Sequence, residues 1–296
     1  MEKNGLIFID KQVGMTSRDV DFQIMKIFGT KKVGHLGTLD PFASGLLVVG
    51  VNEGTKLLSA FEESEKTYEA ELILGKKTNT GDLTGEVVEE KDVPEIDDRL
   101  INVTLKTFLG KSTQTPPMYS AIKVNGRPLY SYARNNETVD VADREIEIRQ
   151  IALLKYYKEE KKIHFFVTVS KGTYIRTLGE DIAEKLGTVG YLKNLRRLAV
   201  NNIAINNSFT STLENPTIIP IIESAKIFGM PVLPSEESYH GQSILLNTLS
   251  NFVLIYNPTT NLPTAIYHYD KKIRNDKKIR KNNLYMYKVQ RGFICE

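Results

Sequence analysis

Residues 145–170, EIEIRQIALLKYYKEEKKIHFFVTVS, contain two apolar-rich runs separated by the charged turn KEEKK. In the second run, every other residue from Ile163 to Val169 is apolar, which places these side chains on one face of a β-strand. The stretch therefore predicts a long antiparallel hairpin.

Helical signals lie on both sides of this hairpin. KGTYIR follows it, and Thr177 with Glu180 three residues later predicts a capping box that opens a helix. Thr16 and Asp19 predict the same box for an earlier helix, which Gly29 ends. The runs GLIFID, LLVVGV and TYEAELILG read as further strands. Strands and helices do not alternate regularly, so we predict an α+β fold with a mixed, mostly antiparallel sheet and flanking helices.

The composition is that of an ordinary globular protein. The chain has 296 residues, of which 41% are hydrophobic and 25% charged, and this excludes collagen-like and wholly disordered classes. Cys295 is the single cysteine, so a disulfide framework within one chain is excluded. GLIFID is too short for a signal peptide, and no apolar run approaches the roughly 20 residues of a membrane helix. We expect a cytoplasmic protein.

One domain boundary and one insertion are predicted along the chain. We expect a main domain over residues 1–229 and a small, basic, β-rich module over residues 230–296. Residues 112–140 are rich in proline and tyrosine and predict an irregular insertion.

From Asp270 to Glu296 there are nine Lys or Arg residues against three acids. This charge fits a nucleic-acid partner, and it fits a merely solvated terminus equally well.

The segment 34–41, GHLGTLDP, is the strongest candidate for chemistry. Asp40 precedes a proline, which favours an extended backbone, and two glycines upstream allow tight turning. A carboxylate on such a loop can act as a covalent nucleophile if a cation holds it ionised. An Asx-turn, in which Asp40 binds its own backbone, is the alternative. A metal-dependent hydrolase is a further alternative, but a metal site usually needs several ligands, and His35 with Asp40 alone is weak evidence for one.

GHLGTLDPFASGLLVVGVNEGTKL resembles the signature of the TruB family of pseudouridine synthases. KTYEA, TNTGDLTGE, QTPPMYSAIKVNG, KGTYIRTLGEDI and LRRL resemble further family blocks in the same order, so the resemblance spans roughly residues 5–200. It implies the pseudouridine synthase fold and isomerisation of uridine 55 in the T-loop of tRNA, without metal or cofactor. The C-terminal module resembles a PUA domain only in position and charge.

The resemblance implies a catalytic set built on Asp40 as nucleophile. Arg176 would grip its carboxylate, and Asp82 would hold Arg176 from the other side. Tyr68 would stack on the everted base and assist proton removal from C5. Taken without the family, Arg176 is a surface arginine, Asp82 a turn residue and Tyr68 an ordinary strand tyrosine.

The resemblance also implies a set of residues that bind the RNA. Tyr174 and Leu195 would line the uridine pocket, although Leu195 alone reads as helix core. His35 would pack in the T-loop, and Lys56 would contact the RNA near the site. In the insertion, Tyr119 and Lys123 belong to a mixture of tyrosines and cations that suits stacking and phosphate contact. We expect a monomer whose partner is tRNA. The alternative is an RNA-binding or tRNA-folding protein on the same scaffold, without required catalysis.

Overall fold

A computed structural model describes residues 3–135, 137–235, 242–270 and 285–293. The strands, labelled in chain order, are β1 (Gly5–Lys11), β2 (Val33–Leu36), β3 (Ser44–Val51), β4 (Lys66–Leu74), β5 (Lys76–Thr78), β6 (Val87–Glu90), β7 (Gly110–Gln114), β8 (Lys123–Val124), β9 (Arg127–Pro128), β10 (Arg144–Tyr157), β11 (Lys162–Val169), β12 (Gly190–Val200), β13 (Ile203–Ala204), β14 (Thr210–Ser211), β15 (Ile219–Pro220), β16 (Val232–Pro234), β17 (Ile244–Leu246), β18 (Phe252–Asn257), β19 (Leu262–Tyr269) and β20 (Tyr285–Gly292).

The helices are α1 (Ser17–Phe28), α2 (Thr55–Leu58), α3 (Asp98–Lys106), α4 (Leu129–Arg134), α5 (Ile175–Lys185) and α6 (Ile221–Ile227). Two short 3-10 turns, Asn52–Gly54 and Ser59–Phe61, flank α2.

A large mixed sheet organises the molecule, with the strand order β14-β1-β3-β12-β4-β11-β10-β7. The neighbours in the series β4, β11, β10 and β7 pair antiparallel with one another. Strands β3 and β12 run parallel to each other. The predicted hairpin is β10 and β11, and β11 also pairs along its whole length with β4. The α+β class with a mixed, mostly antiparallel sheet is therefore confirmed.

Helices α1, α3 and α5 cover one face of this sheet. Val20 and Ile24 of α1 and Leu178 and Ile182 of α5 are buried there against sheet residues such as Phe165. The apolar runs of β1 and β3 are buried on both faces, since Leu6 and Phe8 point into a second core on the opposite side. This double burial explains why those strands are continuously apolar rather than alternating.

The two predicted helix starts have different outcomes. Thr16 caps α1 through a capping box with Asp19, and Gly29 ends the helix in the left-handed conformation, as expected. The box predicted at Thr177 is wrong. Helix α5 begins two residues earlier, at Ile175, with Tyr174 at the cap position and no side-chain cap bond. The Thr177 hydroxyl is buried without a hydrogen-bond partner among the described residues.

The insertion is more regular than its composition suggests. Residues 112–114 belong to β7 and pair with β10, so the irregular part begins after Gln114. Beyond it come the β8–β9 hairpin and helix α4. Leu129 and Tyr132 of α4 are buried, and Tyr132 donates a hydrogen bond to the Val124 carbonyl, which ties the helix to the hairpin.

The C-terminal strands form a five-stranded sheet in the order β16-β18-β19-β20-β17. Leu254 and Ile266 of this sheet lie in the same core as Leu6 and Phe8 of β1. Helix α6 joins that core as well, through Ala225. The two parts of the chain therefore share buried apolar surface, and deleting the second part would expose the first. The boundary at residue 230 stays a prediction.

Much of the predicted basic tail, residues 271–284 and 294–296 with Cys295, lies outside the described residues. Within the described ranges, Lys288 of β20 pairs with Asp270 at 2.7 Å. None of the helices in the described part of the chain is long and apolar enough to cross a membrane.

Candidate active site

A cleft of about 790 Å³ opens where the loop after β2 faces the start of α5 and the strands β4 and β12. This volume lies within the roughly 300–1,000 Å³ of typical small-molecule sites. The residues of this cleft that matter below are Thr38, Asp40, Lys66, Tyr68, Tyr174, Arg176, Leu195 and Arg197. The fold thus brings together five of the predicted site residues from four separate elements: Asp40, Arg176, Tyr68, Tyr174 and Leu195.

The loop that carries Asp40 is held by hydrogen bonds on both sides of that residue. The Leu39 N–H donates to Ser17 Oγ at 2.8 Å, and this hydroxyl donates to the Leu39 carbonyl at 3.0 Å. The Pro41 carbonyl accepts from the Gly14 N–H at 2.8 Å. Gly37 adopts φ +69°, a left-handed conformation that favours glycine. These contacts attach the loop to the beginning of α1, so the position of Asp40 is set by the helix.

Arg176 at the start of α5 lies directly against the Asp40 carboxylate. Its Nε is 2.9 Å from Asp40 Oδ2, and its Nη2 is 3.4 Å from Oδ1. The Arg176 side chain is only 4% exposed, whereas the Asp40 side chain is 34% exposed. The guanidinium therefore forms the floor, and the carboxylate stays accessible from the cleft. The Asx-turn alternative is not what the structure has, because the Asp40 side chain faces Arg176.

The rest of the Arg176 guanidinium is held mainly by backbone carbonyls. Nη1 donates to the Thr80 carbonyl and Nη2 to the Tyr119 carbonyl, both at 2.8 Å. Asp82 Oδ2 lies 4.0 Å from Arg176 Nε, at the limit of an ion pair. The other oxygen of Asp82 accepts a hydrogen bond from the Thr84 N–H at 2.9 Å. Asp82 thus combines a turn role with a weak contact to Arg176.

Tyr68, Leu195 and Tyr174 form the apolar wall of the cleft. Tyr68 is 8% exposed on β4 and lies opposite Arg197 in the register with β12. Leu195 lies on β12, so its reading as helix core is wrong. Tyr174 is held by Gln114, which accepts from its N–H at 2.8 Å and donates to its carbonyl at 3.1 Å. Burial raises the pKa of the Tyr174 hydroxyl, which keeps it neutral.

Four predicted RNA-binding residues lie outside the cleft lining. His35 is half-buried and pairs with Asp21 at 3.0 Å. Lys56 pairs with Glu53, and its ammonium donates to the Gly292 carbonyl at 2.6 Å, so it contacts the C-terminal sheet. Tyr119 reaches the site only through its carbonyl, and Lys123 is exposed on the β8–β9 hairpin. Their proposed contacts with RNA stay predictions.

Sequence reasoning missed three buried cations around the Asp40 loop. Lys11 on β1 is 1% exposed and donates to the Met15 carbonyl at 2.7 Å. Lys66 precedes Tyr68 by two residues, and Arg197 follows Leu195 by two. Arg197 is 1% exposed and donates to the carbonyls of Leu46 and Gly37 at 2.7 and 3.0 Å. The period of two along a strand could have found Lys66 and Arg197, because it puts them on the same face as Tyr68 and Leu195.

These charges shift the protonation equilibria of the site. Burial raises the pKa of the Asp40 carboxyl, and the neighbouring Arg176 charge opposes the rise. Burial lowers the pKa of Lys11 to about 8, with the Arg197 charge acting in the same direction and the Asp40 charge opposing it. Lys66 likewise has a pKa lowered to about 8 by burial and by Arg197. An acid and an amine of the cleft, Asp40 and Lys66, and the amine of Lys11 behind the Asp40 loop thus have pKa values closer to neutrality than in water.

The lowered pKa of Lys66 predicts a pH-dependent stability difference. Between about pH 8 and 10.5 the Lys66 amine is mostly neutral in the folded chain and mostly protonated in the unfolded chain. The free energy of unfolding therefore increases with pH across this window. Relative to Lys66→Met, the wild type is expected to gain up to about 3 kcal/mol across that window. Urea unfolding at both ends of the window measures the difference, and Lys106→Met, at an exposed position of α3, is the control for the loss of a lysine. A difference that stays constant or falls with pH would contradict the prediction.

Two cations at the rim of the cleft, Arg149 and Lys171, are paired with acids. Arg149 contacts Glu65 at 2.8 Å and Glu147 at 3.2 Å, and Lys171 pairs with Glu63. Such exposed pairs contribute little free energy, so an incoming phosphate can replace the acid. Within the described ranges there is no group of three or more His, Cys, Asp or Glu residues that could hold a metal ion.

Comparison with known proteins agrees with this geometry. Residues 25–175 match the family described as TruB family pseudouridylate synthase (N terminal domain). The chain is 46% identical over 211 residues to tRNA pseudouridine synthase B of Bacillus subtilis, covering 70% of this chain and 68% of that protein. It is 43% identical over 207 residues to tRNA pseudouridine synthase B of Burkholderia mallei, with the same coverage. A chain from the crystal structure of a Cbf5–Nop10–Gar1 complex superposes with TM-score 0.70 and 22% identity over 99% of this chain and 85% of that chain.

The sheet superposes on a solved chain over nearly its whole length, and residues 25–175 match a pseudouridylate synthase family, so the protein has the pseudouridine synthase fold. Within that class, the extent of the sequence match settles the family. The chain belongs to the TruB family of pseudouridine synthases, which are isomerases.

Proposed function

We propose that the protein isomerises uridine 55 in the T-loop of tRNA to pseudouridine, with Asp40 as the nucleophile that attacks the everted nucleotide. The observation that carries the proposal is the pairing of Asp40 with Arg176 at the bottom of a cleft large enough for one nucleoside. The names of the relatives support tRNA as the substrate.

The reaction needs no external group. The bond from the sugar C1′ to N1 of the base breaks, the base turns, and a bond from C1′ to C5 forms. C5 loses its proton to solvent and N1 takes one proton up, so the product is an isomer of the substrate. A carboxylate nucleophile divides this change into two easier steps. Arg176 supports that role because its Nε and Nη2 contact the two oxygens of the Asp40 carboxylate and its charge opposes the rise that burial causes in the Asp40 pKa.

The walls of the cleft suit an everted base. Leaving the stack costs a few kcal/mol, and stacking on an aromatic side chain returns roughly 1–3 kcal/mol per base. Tyr68 and Tyr174 provide such rings beside Asp40, and Leu195 provides an apolar contact. We propose that Tyr68 also assists removal of the C5 proton. His35, Lys56, Tyr119 and Lys123 are proposed to contact the RNA outside the cleft, and we propose that a monomer acts in the cytoplasm.

The site of modification is tested with tRNA transcripts that carry tritium at C5 of uridine. We expect the wild-type protein to release about one equivalent of tritium per tRNA. A matched transcript with cytidine at position 55 is expected to release none, because the reacting uridine is missing. Equal release from the two transcripts would overturn the assignment to uridine 55. Binding of both transcripts without any release would favour the tRNA-folding alternative.

A further inference from the structure

Asp21 on helix α1 is a buried carboxylate outside the proposed catalytic set. Its side chain is 1% exposed, on the face of α1 that also buries Val20 and Ile24. Asp21 Oδ2 is 3.0 Å from His35 Nδ1 and 3.2 Å from Nη1 of Arg18, whose side chain is 57% exposed. Asp21 Oδ1 is buried and has no hydrogen-bond partner in the part of the chain that the structure describes.

The contact continues from His35 to the cleft. His35 Nε2 lies 3.2 Å from Thr38 Oγ1, and Thr38 lines the cleft two residues before Asp40. A carboxylate, an imidazole and a hydroxyl thus lie in series from the interior of the protein to the site. In hydrolases, a buried carboxylate in this order fixes the tautomer and the orientation of the imidazole. Here the hydroxyl at the end belongs to the loop that carries Asp40.

We propose that Asp21 is a positioning residue for the Asp40 loop, acting through His35 and Thr38. An ionised carboxylate only accepts hydrogen bonds, so the proton of the neutral His35 ring belongs on Nδ1. Nε2 then accepts, and the Thr38 hydroxyl donates to it. The loop is thereby held to α1 at Thr38 as well as at Leu39, where Ser17 binds it. This role rests on the proposed function for its effect on turnover.

Stability alone does not account for this carboxylate. Burying a carboxylate that has one oxygen unpaired costs free energy, and apolar residues of similar volume often replace such groups without loss. Valine has nearly the shape of aspartate, so Asp21→Val is expected to melt at or above the wild-type temperature. A loss of activity in a variant of unchanged or higher stability separates positioning from folding.

The tautomer of His35 is the direct readout. The chain has four histidines, so a His35→Gln spectrum assigns the His35 ring in nitrogen-15 NMR. We expect the neutral ring of the wild type to carry its proton on Nδ1. In Asp21→Val we expect a shift toward the Nε2–H form, which free imidazoles of histidine prefer. Arg18→Gln is the matched control, because it removes the other partner of Asp21 and leaves the pair with His35 intact.

The kinetic readout is a comparison of single and double variants. Asp21→Val and Thr38→Val are each expected to lower kcat/KM for tRNA by about 5- to 20-fold, and Asp21→Asn by less, because its amide oxygen still accepts a hydrogen bond. The double variant is expected to lose no more than the larger single loss, since both changes break the same series of contacts. Arg18→Gln is expected to retain the wild-type rate within twofold.

Three results would overturn the proposal: an Nε2–H ring in the wild type, an unchanged tautomer in Asp21→Val, or losses that multiply in the double variant. The NMR result does not depend on the reaction. If Asp40→Asn stays fully active, the proposed nucleophile fails while the tautomer of His35 still decides the role of Asp21.

Discussion

Asp40→Asn is expected to abolish pseudouridine formation, with release of tritium from C5 falling at least ~10⁴-fold, or about 5 kcal/mol in the activation barrier. Asparagine keeps the size of aspartate but offers a neutral amide, which is a poor nucleophile and lacks the charge that Arg176 holds. Affinity for tRNA is expected to stay within about threefold, because Asp40 is one small group in a large RNA contact.

The control for this variant is Asp92→Asn, which makes the same chemical change at an exposed position between β6 and α3. It should match the wild type in rate and affinity. Wild-type tritium release from Asp40→Asn, with the substitution verified by mass, would remove Asp40 as the nucleophile. Loss of tRNA binding in step with turnover would instead assign Asp40 to RNA recognition.

Arg176→Lys is expected to lower kcat by about 10²–10³-fold while KM for tRNA changes little. The guanidinium contacts Asp40 through two nitrogens and also donates to the carbonyls of Thr80 and Tyr119. A lysine side chain is shorter and carries the same charge on one nitrogen, so it cannot make all of these contacts at once. The carboxylate is then less well aimed, and the two carbonyls lose a buried donor.

The same variant is expected to change the pH dependence of kcat. Burial raises the pKa of Asp40 and Arg176 lowers it, so weakening the arginine contact moves that pKa further upward. The ionised carboxylate is then lost at a higher pH, and the acidic limb of the profile shifts to higher pH. Arg99→Lys on the exposed side of α3 is the matched control. A large rate loss with an unmoved acidic limb would show that Arg176 acts on something other than Asp40.

Asp40 and Arg176 illustrate how far sequence reasoning reaches in this protein. The proline after Asp40 and the glycines before it indicated a constrained loop, and the order of the motifs indicated the family. The resemblance implied their pairing, but no local pattern shows it, because the residues are 136 positions apart and meet only when β4 and β12 are paired in the sheet. The carbonyl of Tyr119, a second partner of Arg176, leaves no signature in a sequence at all.

His35 and Lys56 show the limit of transferring a role by position. The family resemblance placed both near the RNA, but it gave no hint that His35 pairs with a buried aspartate or that Lys56 contacts the C-terminal sheet. Asp21 reads as a polar residue of an amphipathic helix, and only its burial against His35 distinguishes it. Contacts of this kind depend on the angle at which a helix packs on a sheet, which local periodicity does not specify.

The amino-acid sequence by itself determined the local elements: the β10–β11 hairpin, the capping box at Thr16, and the turn that begins at Asp40. These depend on residues within about four positions of one another, where alternation, capping and proline geometry act. The tertiary structure alone decided which other distant groups touch, including Asp21 beside His35 and Arg197 beneath Gly37. The reason is that strand register and helix packing place such groups, and both arise from burial summed over the whole core.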